Sequence, residues 1–563
     1  MSSATPTSGT SPARRLSLAG VLRLRRPSEI WFKPALSSVA AVAPPNLLLL
    51  AVGRLDLAMY TMAGSLCALY AHNRPYAARA RTLAWVVLGM IGGLAVALVT
   101  ASLTGNAVVL VTVGALLAAV QKALCDATRV GPPGNVVLTF ISSAALFVPQ
   151  TLGQVPGHLA LAAAAGVWAW LVGMAPAPVR PHGPERRATA QALNAAAAYA
   201  EAHGADGDTH APARAAGYAA VQAAWQTLLA LPATGARAAT RHALERLVVR
   251  AEVALAAPAD TDPERLRSWA RALRGAGRIP RTGDAPGGTD ELLGVDAELA
   301  ARPAPLWQRL GPLAPIAART ALGCALAGYA SLALGIGRPY WALVTAAALY
   351  QANLTLTWSR AVQRVVGNLA GVLLFAAIAP LAHLGQALLV LCCLALNFGA
   401  EALITRNYWL GSVCVTPMAL LVTEFAGYQA TGDLMTERAV DTLVGALVGF
   451  LAAVVVTNRR AGSRVEHAVT AADRAREHAA RLLAEPAPAP GALEAARRSL
   501  AAALTDLRAT ADGAAGEWWG RALPQERVVL AEQSGHRTLA EAVRRQAARP
   551  DRDAGTRTED VRP

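Results

Sequence analysis

Hydrophobic positions along the chain gather into twelve apolar segments, in two sets of six. The first set is 34–52, 57–71, 83–102, 106–124, 135–149 and 158–175; the second is 313–335, 339–356, 362–381, 384–404, 408–424 and 438–457. Most approach the roughly 17–25 apolar residues with which a helix crosses a bilayer. Each set is followed by an Ala/Arg-rich polar stretch of helical character. The pattern predicts an all-α membrane protein of about twelve transmembrane helices in two six-helix repeats, with two helical regions outside the membrane. The expected divisions are an N-terminal tail 1–31, a first repeat 32–175, a helical region 176–311, a second repeat 312–457, a second helical region 458–548 and a disordered tail 549–563.

Charge sets the orientation. Arg14, Arg15, Arg23, Arg25, Arg26 and Lys33 precede the first segment, and Arg74, Arg79 and Arg81 lie between the second and third. The next loop on that side is bounded by Lys122 and Arg129, and Arg180, Arg186 and Arg187 follow the sixth segment. Arg360, Arg364, Arg406, Arg459 and Arg460 repeat the arrangement in the second half, whereas Glu424, Asp433 and Glu437 fall on the other side. Basic loops stay in the cytoplasm, so both termini and both polar regions are expected there. Arg338 alone opposes the trend.

The halves also share local sequence. Ala68-Leu69-Tyr70 and Ala348-Leu349-Tyr350 end equivalent segments, and each precedes a basic loop and a paired-glycine helix, Gly89/Gly93 and Gly367/Gly371. These features align at shifts of 280 and 278 residues. Repeats with an even number of spans are parallel, related by an axis along the membrane normal.

Composition narrows the remaining classes. Hydrophobic residues make up 54% of the 563 and charged ones only 16%, which suits a large membrane domain with smaller polar ones. The formal charge of +15 has no basic stripe interleaved with aromatics, so nucleic acid is not an expected partner. The six cysteines, Cys67, Cys125, Cys324, Cys392, Cys393 and Cys414, lie in or beside apolar segments without CxxC spacing and indicate neither a metal site nor disulfides. No GxxxxGK[ST] phosphate loop and no triad pattern occurs, so an enzyme, an ATP-driven pump and a bound cofactor are not expected. Pro44-Pro45 interrupts the first apolar run, which reads as an uncleaved span rather than a signal peptide.

Candidate chemistry concentrates in the second half. The eighth segment carries Tyr340, Trp341, Thr345, Tyr350, Gln351 and Asn353, and Arg360 and Arg364 follow four residues apart on one helical face. Tyr340 and Trp341 suit either a substrate pathway or an interfacial aromatic belt. Arg360 and Arg364 suit either topology anchors or an electropositive vestibule that gathers carboxylates. Segments two, five, eight and eleven are the shortest or most polar of their sets, and such segments at matching places mark a midplane site. Asn397 and Glu401 of segment ten are likewise four apart. The repeat shift sets Glu401 opposite Lys122, which suggests an ion pair across the pseudo-two-fold and a role for Glu401 in proton coupling.

The run Arg338-Pro-Tyr-Trp-Ala-Leu-Val-Thr345, Tyr350-Gln-Ala-Asn353 and Arg360-x3-Arg364-x2-Gly367-x3-Gly371 resembles the integral-membrane domain of the fusaric acid resistance family, to which aromatic carboxylic acid exporters belong. The first half departs from this pattern: Asp56 to Tyr60 lacks the Tyr-Trp pair, and Arg79/Arg81 lack the spacing. The resemblance implies a secondary transporter exporting small organic anions such as aromatic carboxylates, driven by the proton motive force. Its alternatives are a passive organic-anion channel, since related plant proteins conduct such anions, and a non-transporting scaffold. The lipid bilayer, an organic anion, a homo-oligomer and a periplasmic or cell-envelope adaptor are the partners this reading carries.

Overall fold

The computed structural model describes residues 16, 18–24, 31–203, 210–230, 238–275, 277–281, 305–351, 353–456, 461–515 and 525–547. The expected tail 549–563 lies outside them, as do Arg14, Arg15, Arg25, Arg26, Arg459 and Arg460.

Every regular element among the described residues is helical. The first apolar half comprises α1 (Phe32–Ala51), α2 (Ala58–Ser65), α3 (Tyr76–Leu103), α4 (Ala107–Thr128), α5 (Val136–Leu146) and α6 (Val155–Met174). Four polar helices follow: α7 (Gly183–Ala202), α8 (His210–Leu229), α9 (Ala238–Ala256) and α10 (Pro263–Arg274). The second apolar half is α11 (Ala314–Ala333), α12 (Tyr340–Leu349), α13 (Leu354–Ala382), α14 (Gln386–Ile404), α15 (Tyr408–Thr423) and α16 (Thr431–Val455). Three more polar helices end the described chain: α17 (Ala461–Ala484), α18 (Ala492–Ala515) and α19 (Gln525–Ala547).

Nine helices among the described residues are long and apolar enough to cross a membrane. The other three apolar segments are short: Leu55–Leu69, in which 3-10 turns flank α2, then Val136–Leu146 and Tyr340–Leu349. The segment expected at 339–356 therefore ends early. Tyr350 is extended, and the Asn353 side chain accepts from the Leu356 amide to cap α13. That cap starts α13 at Leu354, so Arg360 and Arg364 sit inside its first turns rather than in a loop. At the other end of the second half, α16 begins at Thr431 and takes Arg438 into its interior.

Equivalent helices pack alike in the two halves. α2 lies on α6 as α12 lies on α16, and α5 contacts α3 and α4 as α15 contacts α13 and α14. The halves join by two reciprocal contacts, α1 on α14 and α4 on α11. Glycines permit the closest approaches. A Cβ built on Gly371 falls 2.7 Å from Thr416 Cβ, and one on Gly445 falls 2.4 Å from the Ala342 carbonyl oxygen, so α13 and α16 press directly on α15 and α12. Gly93 is packed against Gln121 and Ser142, but its expected companion Gly89 meets nothing within 4 Å.

Pro44 and Pro45 do not break the first span: α1 runs through both. A proline cannot donate to the carbonyl four residues before it, which frees Ala40 O. Trp168 Nε1 of α6 donates to that oxygen at 3.0 Å. Where water is excluded, such a replacement partner is what lets a helix carry internal prolines.

The polar helices of both regions share one core. Leu193, Trp225, Leu247 and Leu255 pack in the same cluster as Val465, Leu500, Leu507 and Leu539. A buried pair, Arg497 Nη2 to Glu252 Oε2 at 2.8 Å, links the regions, and Trp225 Nε1 donates to the other Glu252 oxygen at 2.6 Å. The two stretches thus build a single helical layer at one end of the apolar bundle, here termed the layer end.

Alanine at Gly371 or Gly445 is expected to destabilise the protein by about 1–3 kcal/mol through overpacking, whereas Gly89→Ala stabilises α3 by up to about 1 kcal/mol. Trp168→Phe strands the Ala40 carbonyl and is expected to cost about 1–3 kcal/mol. Thermal unfolding of purified protein in one detergent ranks all four.

Candidate functional site

The short helices leave space between the two halves. A cavity of about 1890 Å³ lies there, lined from Asp56, Phe147, Arg338 and Gln429 at the far end to Arg74, Arg129, Arg360 and Asn407 at the layer end. Residues of Leu55–Leu69, α5, α12 and α15 all contribute to its wall. These are segments two, five, eight and eleven.

The wall is strongly basic. Ten lining side chains are arginine or lysine and three are carboxylates, Asp56, Asp126 and Glu401. Two of the carboxylates are already engaged: Asp56 with Arg54 and Asp126 with Lys122, each at 3.1 Å. The arginines are oriented by local partners. Arg360 stacks on the Tyr408 ring, 3.9 Å from its centroid, and Arg364 Nη1 donates to the Tyr408 hydroxyl at 2.8 Å. One tyrosine at the start of α15 thus holds both guanidiniums of α13.

Of the residues singled out in the sequence, Tyr340, Trp341, Tyr350, Gln351, Arg360, Arg364, Asn397, Glu401 and Lys122 line this cavity. Thr345 does not: it is fully buried and packs against Gly445 of α16. Asn353 is a helix cap rather than a wall residue. Lys122 and Glu401 do not pair with each other. Lys122 takes Asp126 one turn along α4, a partner already in place on its own helix. Glu401 has no hydrogen bond or ion pair among the described residues. Asn397 faces the other half, where its amide nitrogen donates to Ser38 Oγ of α1 at 2.9 Å.

Tyr340 and Trp341 are 7% and 1% exposed, so neither belongs to a lipid-facing aromatic belt. Tyr340 packs on Phe147 and Trp341 on Phe140, with centroids 5.7 and 5.6 Å apart, so α12 and α5 meet through their rings. Tyr350 donates to Gly449 O at 3.1 Å, tying the end of α12 to α16. At the far end Arg338, the exception in the loop charges, is matched by Glu437 at 3.6 Å and by Gln429. At the layer end, burial together with the Arg79 charge pushes His72 down to about 4, so its neutral Nδ1 accepts from Arg79 Nη2 at 3.1 Å.

Two features were not singled out beforehand. Asn368 of α13 donates to Thr442 Oγ1 at 3.0 Å and accepts from Thr416 Oγ1 at 2.8 Å, which joins α13, α15 and α16 in the apolar interior. Arg438 of α16 is 1% exposed, lines the cavity and lies over the Trp341 ring at 4.1 Å. In the sequence Arg438 stands at the start of the twelfth apolar segment, next to Glu437 and three residues before Asp441. Intramembrane charges are functional candidates by default.

In a background lacking the six native cysteines, Glu401→Cys and Arg406→Cys should react with a charged, membrane-impermeant thiol reagent applied from the layer side, and Thr345→Cys should react at least tenfold more slowly. Equal rates at all three would disagree with the cavity wall drawn here.

Comparison with known proteins places this arrangement. Residues 325–452, which contain α12 to α15 whole, the C-terminal part of α11 and most of α16, match the family described as fusaric acid resistance protein-like. A Bacillus subtilis (strain 168) protein described as the uncharacterized membrane protein YvaC is 34% identical over 141 residues, which is 25% of this chain and 22% of that relative. The match therefore spans about a fifth of the relative's length. No solved structure matches. The chain is a multi-pass membrane protein whose residues 325–452 are similar to the fusaric acid resistance protein-like family.

Proposed function

We propose that this protein is a secondary transporter that exports small organic anions, aromatic carboxylates among them, across a bacterial inner membrane. In this reading all twelve apolar segments span, as two parallel six-helix repeats, and the helical layer and both termini are cytoplasmic. The observation that carries it is the imbalance of the cavity wall, ten cations against three carboxylates, two of them already paired. Such a surface in a low-dielectric wall concentrates anions and repels cations. Arg360 and Arg364, held by Tyr408 near the layer end, are the entry for carboxylates from the cytoplasm. The matched packing of α2 on α6 and α12 on α16 supports the repeat.

Proton coupling falls to Glu401 acting alone rather than to a Lys122–Glu401 pair. It is the one lining carboxylate without a partner among the described residues, and it sits beside Asn397 on the same face of α14. Proton uptake there neutralises the charge opposing anion entry. One feature favours the second reading, an organic-anion channel: a single cavity carries lining residues from both ends of the bundle.

Reconstitution into liposomes separates the two. A coupled exporter accumulates a radiolabelled carboxylate against its gradient when a pH difference is imposed; a channel only dissipates the gradient. In the exporter, Arg360→Gln with Arg364→Gln should lower flux at least tenfold, and Glu401→Gln should abolish its dependence on the pH gradient. Gradient-driven accumulation that survives Glu401→Gln would sink the coupling role.

A further inference from the structure

Arg438 sits about 10 Å along α16 from its far end, at a rise of 1.5 Å per residue. Its Nε and Nη1 have no hydrogen-bond partner, although the side chain is 1% exposed. No carboxylate among the described residues is within ion-pair distance. Asp441, one turn on, accepts from Ser331 Oγ at 2.6 Å through Oδ1, and its Oδ2 has no partner. The Trp341 indole beneath Arg438 also keeps its Nε1 unpartnered, as Arg364 keeps its Nε. Arg438, Trp341 and Arg364 all line the cavity. Buried donors are nearly always satisfied, so several idle donors beside one cavity indicate a missing acceptor. That acceptor is anionic, because a guanidinium taken out of water needs a compensating charge.

The surroundings restrict its shape and charge. Phe140, Val344 and Met418 line the same part of the wall, so whatever extends from the anionic end meets apolar side chains. Asp441 lies one turn from Arg438 on the same face of α16, buried and off the cavity wall, so a second negative charge brought close to it raises the cost of both. We infer that Arg438 and Trp341 Nε1 form a seat for the single carboxylate of an organic monoanion, and that Asp441 discriminates against dianions. The seat deepens the anion-transport reading and rests on it for its physiological role. Trp341 supplies both the indole donor and the ring face that holds the guanidinium in place, a contact that strengthens when desolvated.

Calorimetric titration of the purified full-length protein with benzoate, cyclohexanecarboxylate and succinate tests this. Both monocarboxylates should bind and raise the unfolding temperature, with succinate at least tenfold weaker. Arg438→Gln should weaken benzoate at least thirtyfold, and Trp341→Phe, which keeps an aromatic face but removes the indole donor and shrinks that face, three- to tenfold. Asp441→Asn should narrow the benzoate/succinate ratio to below threefold, an effect that a merely structural role would not produce. Arg271→Gln, in the polar layer and away from the cavity, should change benzoate affinity less than threefold. Should Arg438→Gln fail to fold, Trp341→Phe and Asp441→Asn decide the matter. Absence of monocarboxylate binding, succinate binding as tightly as benzoate, or an unchanged affinity in these variants overturns the seat. Binding with no flux in liposomes instead overturns the transport reading and leaves the seat standing; flux in Arg438→Gln equal to wild type, with unaltered binding, does the reverse.

Discussion

A ten-residue helix is about 15 Å long, half the hydrocarbon thickness of a bilayer. α12 has ten residues, α5 eleven, and α2 eight within its flanking turns. Their free backbone ends cannot face lipid, where each unsatisfied polar group costs several kcal/mol. They are tolerated only when surrounded by longer helices or when they open onto an aqueous space, and both conditions are met here. α3, α6, α13 and α16 enclose them, and where they stop short a cavity remains. The glycine contacts of α13 and α16 follow from the same constraint, since short helices are held by close packing along their sides rather than by anchoring at both interfaces.

That constraint also distributes the charges. An arginine at the lipid face of a span is costly, but facing an internal cavity it is open to ligands. Arg360, Arg364 and Arg438 all face inward, and each is oriented by an aromatic ring, Tyr408 for the first two and Trp341 for the third. Rings can hold a guanidinium without neutralising it, so its charge stays available to an anion. A carboxylate partner would have stabilised the apo state and closed the site. The polar groups whose role is cohesion behave differently: Asn368 bonds Thr416 and Thr442 between three helices, and Thr442 Oγ1 donates on to Arg438 O.

Much of this was legible in the sequence, for identifiable reasons. Hydropathy located the segments, and the recurrence of short or polar ones at matching places pointed to α2, α5, α12 and α15 as the cavity wall. Side-chain partnership was less legible. The repeat shift set Lys122 opposite Glu401, but a shift says nothing of distance, and an aspartate one turn away on α4 was nearer. Thr345 was chosen for its polarity in an apolar run; its place on the α16 face of α12, against Gly445, follows from the helix contact and not from composition. Asn353 looked like a wall residue because the eighth segment was drawn six or seven residues too long, and the cap it forms is what ends that segment. Arg438 fell at the expected boundary of the twelfth segment, where an arginine reads as an interfacial anchor. Only the helix start at Thr431 moves it inside.

The connections between the halves bear on how a carrier of this build would move. Two rigid six-helix bodies rocking about a central site need an interface that can open at either end. Here the layer ends of both halves lead into one hydrophobic core, closed by the buried Arg497–Glu252 pair, so separating them would breach a folded domain. The reciprocal contacts of α1 with α14 and of α4 with α11 add two further clasps across the midline. The short helices meet across the midline through the ring pairs Phe140–Trp341 and Phe147–Tyr340. Trp341 stands at the α12–α5 contact and beneath Arg438, so an anion seated at Arg438 would also bear on that contact.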